Sequence, residues 1–386
     1  MRVLHLITRL IIGGAQENTL ASVLGLRTRH GLDARLLSGP TSGPEGSLEP
    51  AAQAVPNLLT VLPSLVRPIH PVLDPIALLA LARHFRSTQP HIVHTHSGKA
   101  GFLGRLASRL ARVPVVVHTL HGPSFGPFQG RIPNLLLRAA ERLAGRLTTH
   151  FVTVADAMTR QYLAAGIGIP SQYTRIVSGF DLQPFLSAQP DPALRARLGL
   201  DPDHFVVGKI ARLFALKGHD DLIAAAPDLI REIPRLRFLL VGDGSHRARL
   251  QTAIDRLGLA PYFIFTGLVP PSQIPALLGV MDILVHLSLR EGLARALPQA
   301  LAAGRPVVAY DCDGAPEVCL PNQTGHLVPP GRLDLLRAAI RRLASDPDHR
   351  ATLGRQGRDL VRDVFPVERM IDDLHALYLR LLPGQP

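Results

Sequence analysis

Short runs of β-branched and apolar residues alternate with longer helical patterns from one end of the chain to the other. This alternation limits the fold more than any other feature. In the first half the candidate strands are Val3–Ile7, Ala34–Leu37, Ile92–Thr95, Val115–Thr119, Phe151–Val154 and Arg175–Val177. In the second half they are Val206–Ala211, Phe238–Val241, Phe263–Thr266, Ile283–His286, Pro306–Ala309 and His326–Val328. Strands separated by helices form βαβ units and parallel sheets. Two such series predict an α/β protein of two doubly wound, Rossmann-like domains facing across a cleft. The Pro- and Asp-rich residues 181–204 mark a linker between a first domain, 1–180, and a second, 205–366. Met370, Leu374, Leu377 and Leu381 recur at helical spacing, so residues 367–386 are expected to form a terminal helix folded back on the first domain.

A chain of 386 residues can bury two cores without a disulfide or metal staple. Its 2 cysteines, Cys312 and Cys319, have neither zinc nor redox spacing. No run of 18 apolar residues suggests a spanning helix. The opening MRVLHLITRLIIGGAQ is interrupted by Arg9 and reads as a first strand rather than a leader. A cytoplasmic protein is the expectation.

The net charge of +12 is unevenly placed. Residues 1–180 hold 18 Lys and Arg against 7 Asp and Glu, whereas residues 181–386 hold 24 against 23. Such asymmetry suits a polyanionic partner, either nucleic acid or an anionic membrane surface. Nucleic acid is disfavoured, because aromatics are only 5%, Trp is absent and no aromatic–basic interleaving occurs. Arg138, Arg142 and Arg146 recur at helical spacing near Leu135, Leu136, Leu143 and Leu147, and Arg105, Arg109 and Arg112 form a similar set. Together they predict a basic, amphipathic surface on the first domain that attaches peripherally to the inner face of a membrane.

Five segments can carry chemistry. Gly13-Gly14 lies between the first strand and a helix, where backbone N–H groups can meet a phosphate. Arg212 and Lys217 flank the loop after the first strand of the second series, a spacing that can clamp a diphosphate. Lysine is rare here, with only Lys99, Lys209 and Lys217 beside 39 arginines, so a Lys next to Gly points to a need for a compact charge. Gly242 ends another strand in a close-approach turn. Glu291 and Gln299 are eight residues apart, near two helical turns, so both are expected to face one ligand across Gly292, Leu293 and Ala294. Pro298 predicts that the regular helix there begins late or kinks. His121 follows a very apolar strand at the sheet edge; His94 and His96 lie on another strand end, without a carboxylate at metal-ligand spacing, so no metal site is expected.

Taken in order, these segments resemble the family-4 retaining glycosyltransferases of the GT-B fold. The likeness runs through IIGGAQ, HTHSGKAGFLGRLASRL, HTLHGPSF and IVSGFD, then KIARLFALKGHDDLI, LLVGDG, FTGLVPPSQIPALL, REGLARALPQALAAGRPVVA and GAPEV. It implies a nucleotide-sugar donor held mainly by the second domain. Arg212 and Lys217 match the family's diphosphate-binding pair, and Glu291 matches the first Glu of its E-x7-E motif. Backbone groups at Gly292, Leu293 and Ala294 would meet sugar or phosphate, with Gly13, Gly14 and Gly242 close to the donor. His121 matches the His near the reacting sugar. The base, expected to be uracil, would be read around Phe265, Gly267 and Leu268. One departure stands out: the second Glu, which meets the ribose in the family, is Gln299 here. An amide accepts a hydrogen bond from one hydroxyl but brings no charge.

The resemblance further implies transfer with retention by a same-face route, with no cofactor and no required metal. The HTHSGKAG and HTLHG segments look most like enzymes of capsule, O-antigen or exopolysaccharide synthesis, which implies a lipid-linked sugar acceptor. Competing readings are a soluble sucrose- or sugar-phosphate-type transferase, a nucleotide-sugar epimerase, and an inactive nucleotide-sugar-binding module.

Overall fold

The computed structural model describes residues 1–382 apart from 44 and 127. It divides into two compact units, Met1–Phe180 together with the segment from Val367 onward, and Asp181–Pro366. Each is a parallel sheet between helices.

The first sheet has seven strands: β1 (Arg2–Ile7), β2 (Asp33–Ser38), β3 (Leu59–Val61), β4 (Ile92–His96), β5 (Val115–Leu120), β6 (His150–Thr153) and β7 (Tyr173–Arg175). Their order is β3-β2-β1-β4-β5-β6-β7, and every pairing is parallel. β4 and β5 are buried along their whole length, which is why they read as continuous apolar runs rather than alternating ones. The order reverses between β1 and β4. A crevice opens outside the carboxyl ends of the strands at such a point, and ligands bind there in open α/β sheets.

The terminal helix Val367–Leu381 completes this unit. It buries Met370, Ile371, Leu374, Leu377 and Tyr378 in the core shared with β1, β4 and β5. Its partner is the helix Gly14–His30, and Gly25 makes the close approach possible: a Cβ there would lie 2.0 Å from Ile371 Cδ1. Polar contacts at the rim lock the same pair, because Arg29 donates to both carboxylate oxygens of Asp372 at 2.6 and 2.8 Å.

The second sheet has six strands: β8 (Phe205–Ile210), β9 (Leu236–Val241), β10 (Phe263–Gly267), β11 (Ile283–His286), β12 (Val307–Tyr310) and β13 (Gly325–Val328). Their order is β10-β9-β8-β11-β12-β13, with the reversal between β8 and β11.

Three local features differ from the sequence reading. β3 was not expected: it is a three-residue edge strand between Pro-rich turns, too short to show a period. β7 lies two residues earlier than its apolar run suggests, at Tyr173–Arg175. Residues 181–204 hold two short helices, Gln183–Leu186 and Pro192–Arg197, and fall within the second unit. Asp191 caps the latter by accepting from Ala193 N and Leu194 N. Among the described residues, no helix is long and apolar enough to cross a membrane.

Candidate active site

The β8/β11 reversal gathers most of the candidate residues. After β8 the chain turns sharply into the helix His219–Glu232, with Leu216 at φ 65° and Gly218 at φ 67°. Gly218 is required there, since a Cβ would lie 2.1 Å from Leu287 O. The turn delivers Lys217 to Glu291, on the loop after β11, and the two side chains form an ion pair across the crevice. The Ser288 hydroxyl lies between the two loops, within donating distance of Glu291 Oε1 at 3.1 Å and of Leu216 O at 3.2 Å, with one proton to give to either. The Glu291 N–H donates to Asp313 Oδ2 at 2.8 Å, and Gly314 N donates to Gly292 O at 3.0 Å. The acidic loop is therefore fixed from both sides.

The electrostatics follow from this packing. Burial raises the Glu291 pKa, but the Lys217 ammonium and the hydrogen bonds from Lys217 and Ser288 outweigh it and hold the carboxyl below its usual range. His286 Nε2 lies 3.9 Å from Glu291 Oε1. Burial drives that imidazole down to about 3, so it faces Glu291 uncharged at neutral pH. Behind the pair lies Lys209, fully buried on β8, with no hydrogen-bond partner for its Nζ among the described residues. Burial, aided by Lys217 and opposed by Glu291 and Asp221, brings its pKa down to about 7.

Arg212 belongs to the same loop and is exposed, with its guanidinium 5.2 Å from the Phe214 ring centroid. The loop is stitched to the next one, because Leu213 N donates to Asp243 O at 2.9 Å. Gly242, at φ 130°, allows this, since a Cβ would sit 2.3 Å from Ala211 O. Gly242 N in turn donates to Gly267 O at 3.1 Å, which draws in the end of β10. There Phe265 lies under the Arg247 guanidinium, 3.5 Å from the ring centroid, and Leu268 is exposed. The loops after β8, β9, β10 and β11 thus share one carboxyl edge, as the sequence implied.

The helical relation between Glu291 and Gln299 does not hold. The helix spans only Ala296–Ala302, so Glu291 lies in the loop before it, and Gly292, Leu293 and Ala294 are buried between them. Gln299 is half-buried within that helix. Pro298 explains the late start, because a proline is tolerated in the first turn, where its missing N–H bonds nothing.

In the first unit, Gly13 and Gly14 start the helix after β1. Gly13 has extended backbone at φ 176°, so a need for left-handed geometry does not explain it. A Cβ there would lie 3.0 Å from Gln16 Oε1, the far end of a side chain that can move aside, so the local packing does not require glycine either. His121 follows β5 and is bonded to His96, Nε2 to Nδ1, at 2.9 Å. Burial lowers the His121 pKa to about 4, which leaves it neutral at pH 7.

The basic face is smaller than the arginine spacing predicts. Arg105 is fully buried, pairing with Glu141 at 2.8 Å and donating to Gly101 O at 2.8 Å. Arg138 and Arg142 donate to the carbonyls of Ala164 and Ala165. Arg109, Arg112 and Arg146 are exposed. The helix Arg131–Gly145 instead turns apolar side chains outward: Ile132, Leu135, Leu136 and Leu143 are 73, 67, 64 and 51% exposed.

Several site groups carried no signal in the sequence. Ser288 and Asp313 owe their roles to loops from distant strands. Ser97, just after β4, holds φ 61° and ψ 166°, a strained region for a side-chain-bearing residue at the β1/β4 crevice.

Residues 190–360 match the family model of group 1 glycosyl transferases, and residues 13–178 match that of the glycosyl transferase 4-like domain. The chain is 31% identical to the 2-deoxystreptamine glucosyltransferase of Streptomyces kanamyceticus, over 72% of this chain and 74% of the relative. It is 28% identical to the UDP-Gal:alpha-D-GlcNAc-diphosphoundecaprenol alpha-1,3-galactosyltransferase of Escherichia coli, over 83% of each. Among solved structures, Anabaena HepE in complex with UDP-glucose superposes with a TM-score of 0.83 at 26% identity, covering 99% of this chain and 100% of that one.

Proposed function

This chain belongs to the group 1 glycosyltransferases, and from that membership we propose that it moves a hexosyl or N-acetylhexosaminyl group, with retention, from a UDP-sugar to a lipid-linked sugar in cell-surface polysaccharide synthesis. The observation that carries the reading is the Lys217–Glu291 pair at the β8/β11 reversal. A cation and a carboxylate held side by side suit the two halves of a nucleotide-sugar, the diphosphate and the sugar hydroxyls. UDP is favoured by the UDP-glucose bound to the Anabaena neighbour and by the UDP-galactose named for the Escherichia coli relative.

The chemistry then divides simply. The bond from the anomeric carbon to the diphosphate breaks, and the bond to the acceptor oxygen forms on the same face. The acceptor's proton passes to the departing diphosphate oxygen. Lys217 and Arg212 stabilise the charge that grows on that diphosphate. Glu291 accepts hydrogen bonds from sugar hydroxyls and fixes the ring. Gln299 receives a ribose hydroxyl, and His121 meets the sugar. With these cations in place the reaction needs no divalent metal, so turnover should persist in EDTA.

The exposed stripe of Ile132, Leu135, Leu136 and Leu143 supports a lipid-linked acceptor. Four large apolar side chains on one outward helix face, with Arg131, Arg142 and Arg146 around them, suit insertion at an anionic lipid surface. The aminocyclitol named for the Streptomyces relative makes a soluble acceptor the competing reading.

The test is transfer from UDP-glucose, UDP-galactose and UDP-GlcNAc to GlcNAc-diphosphoundecaprenol in EDTA, with the anomeric configuration of the product read by NMR. An α-linked lipid product supports the proposal. Transfer only to water-soluble sugars, or a strict requirement for added Mg²⁺, would overturn the acceptor or the metal-free mechanism respectively. Sedimentation with anionic and neutral vesicles tests the membrane part separately: equal, negligible binding to both would end it.

A further inference from the structure

His5, His94 and His96 lie side by side in the first unit, on the facing strands β1 and β4. Their ring nitrogens come within 4.8 Å of one another, a spacing a cation can use. All six of those nitrogens already carry hydrogen bonds, so no ligand atom is spare. The bonds instead form one continuous chain. It runs from His121 Nε2 to His96 Nδ1 at 2.9 Å, and from His96 Nε2 to His5 Nδ1 at 2.9 Å. It continues from His5 Nε2 to the Tyr378 hydroxyl at 3.2 Å, then to His94 Nδ1 at 2.5 Å, and ends from His94 Nε2 at Thr119 Oγ1 at 2.6 Å. Tyr378 belongs to the terminal helix, so the far end of the sequence closes the chain.

A neutral imidazole has one donor nitrogen and one acceptor nitrogen. In a chain of neutral rings, the direction of any one bond therefore sets all the others. Burial keeps the four imidazoles neutral at pH 7, lowering His5 to about 3, His121 to about 4, and His94 and His96 well below the usual range. The tyrosine sets the direction. A donating O–H makes short bonds and an N–H longer ones. The 2.5 Å contact suits Tyr378 donating to His94, and the 3.2 Å contact suits His5 donating to Tyr378. The opposite direction would put both contacts outside their usual ranges. The chosen one keeps the Tyr378–His94 contact at the short edge of the hydroxyl range and leaves the 2.6 Å His94–Thr119 contact slightly short for an N–H donor.

We infer that the hydrogen-bonded chain through His96, His5 and Tyr378 holds His121 in the tautomer with its proton on Nε2, so that Nδ1 meets the substrate as a hydrogen-bond acceptor. Tyr378 is then a positioning residue for the reacting end of the site, acting through three imidazoles. The part of this concerning substrate rests on the role of His121 proposed above. The tautomer does not.

Long-range ¹H–¹⁵N NMR on histidine-labelled protein tests it, with the His121 signals assigned by comparison with His121→Gln. The expected wild-type pattern at pH 7.5 is the Nε2–H tautomer for His121, His96 and His5. Tyr378→Phe keeps the ring in the core but cuts the chain, and should turn His121 into a mixture of tautomers. Transfer from UDP-glucose should fall about tenfold in kcat with little change in donor KM. If Tyr378→Phe does not fold, the wild-type tautomer pattern decides alone, because the three Nε2–H assignments follow from the same chain. An Nδ1–H tautomer or an imidazolium at His121 in the wild type would overturn the inference. So would an unchanged His121 pattern in a folded Tyr378→Phe. A fully active His121→Ala enzyme would instead remove the substrate role and leave the tautomer result to stand on its own.

Discussion

The two sheets share one architecture and reverse their strand order at equivalent places, yet the two crevices are chemically unlike. The β8/β11 crevice is built from charge: Lys217 against Glu291, Lys209 buried behind them, and Asp313 bracing the loop. Behind the β1/β4 crevice the buried groups are neutral imidazoles and hydroxyls joined end to end, and the ion pairs Arg9–Glu45 and Lys99–Asp74 stand around it. Fixed charges at a crevice suit a ligand that is itself charged, such as a diphosphate, and preorganise the field where charge will develop. A neutral, direction-bearing chain suits hydroxyl recognition, where the arrangement of donors and acceptors matters more than field strength. One fold thus supplies two kinds of surface, and function follows from which side chains the turns deliver.

Perturbing the charged crevice should have the largest effect. Lys217→Ala removes the cation and strands Glu291, and should lower transfer by about 100-fold or more, as loss of one preorganised donor does elsewhere. Steady-state rates with UDP-glucose check this, and a loss below fivefold would remove Lys217 from the chemistry. Glu291→Gln keeps the shape but halves the acceptor capacity. We expect kcat to fall roughly tenfold to thirtyfold, in the range of a hydrogen bond to a charged group, while UDP without its sugar binds nearly as well as to wild type. Calorimetry with UDP and UDP-glucose separates the two, and equal losses for both would place Glu291 on the diphosphate.

Lys209→Met tests the buried charge behind the pair. In the folded protein Lys209 titrates near 7, well below the ordinary lysine value. Below that pH its buried charge opposes folding in full. As pH rises towards the unfolded pKa the penalty fades, because the unfolded chain then loses its proton too. The variant should therefore melt several degrees higher than wild type at pH 6, with the gap closing towards pH 10. A variant that melts lower than wild type at pH 6 would show that Lys209 is paired rather than stranded. The smallest effect belongs to Gln299→Glu, which should tighten nucleotide binding only a few-fold by adding one charge-assisted hydrogen bond. Unchanged affinity would move Gln299 away from the ribose.

Features set by local pattern were legible in the sequence. Buried strands such as β5 appear as apolar runs, and the carboxyl-edge loops follow from where those runs end. What failed was geometry between segments. Eight residues from Glu291 to Gln299 resembles two helical turns, but Pro298 delays the helix to Ala296. Arg105 falls in a basic repeat, but Glu141 from the next helix draws it wholly inside. His94 and His96 alternate along one strand and so share a face. Nothing local announces that His5 from β1 and Tyr378 from the terminal helix complete their chain.

The most direct test of the charged crevice as the nucleotide site is a thermal-shift titration with UDP, GDP, ADP and UMP, on wild type and Lys217→Ala. A ligand that binds only the folded state stabilises it by about 2.7 kcal/mol at 100 times its dissociation constant. The account predicts a clear rise with UDP, a weaker one with UMP, and little or none in the variant. An equal rise with UDP in both proteins, or no rise with any nucleotide in a folded wild type, would contradict it.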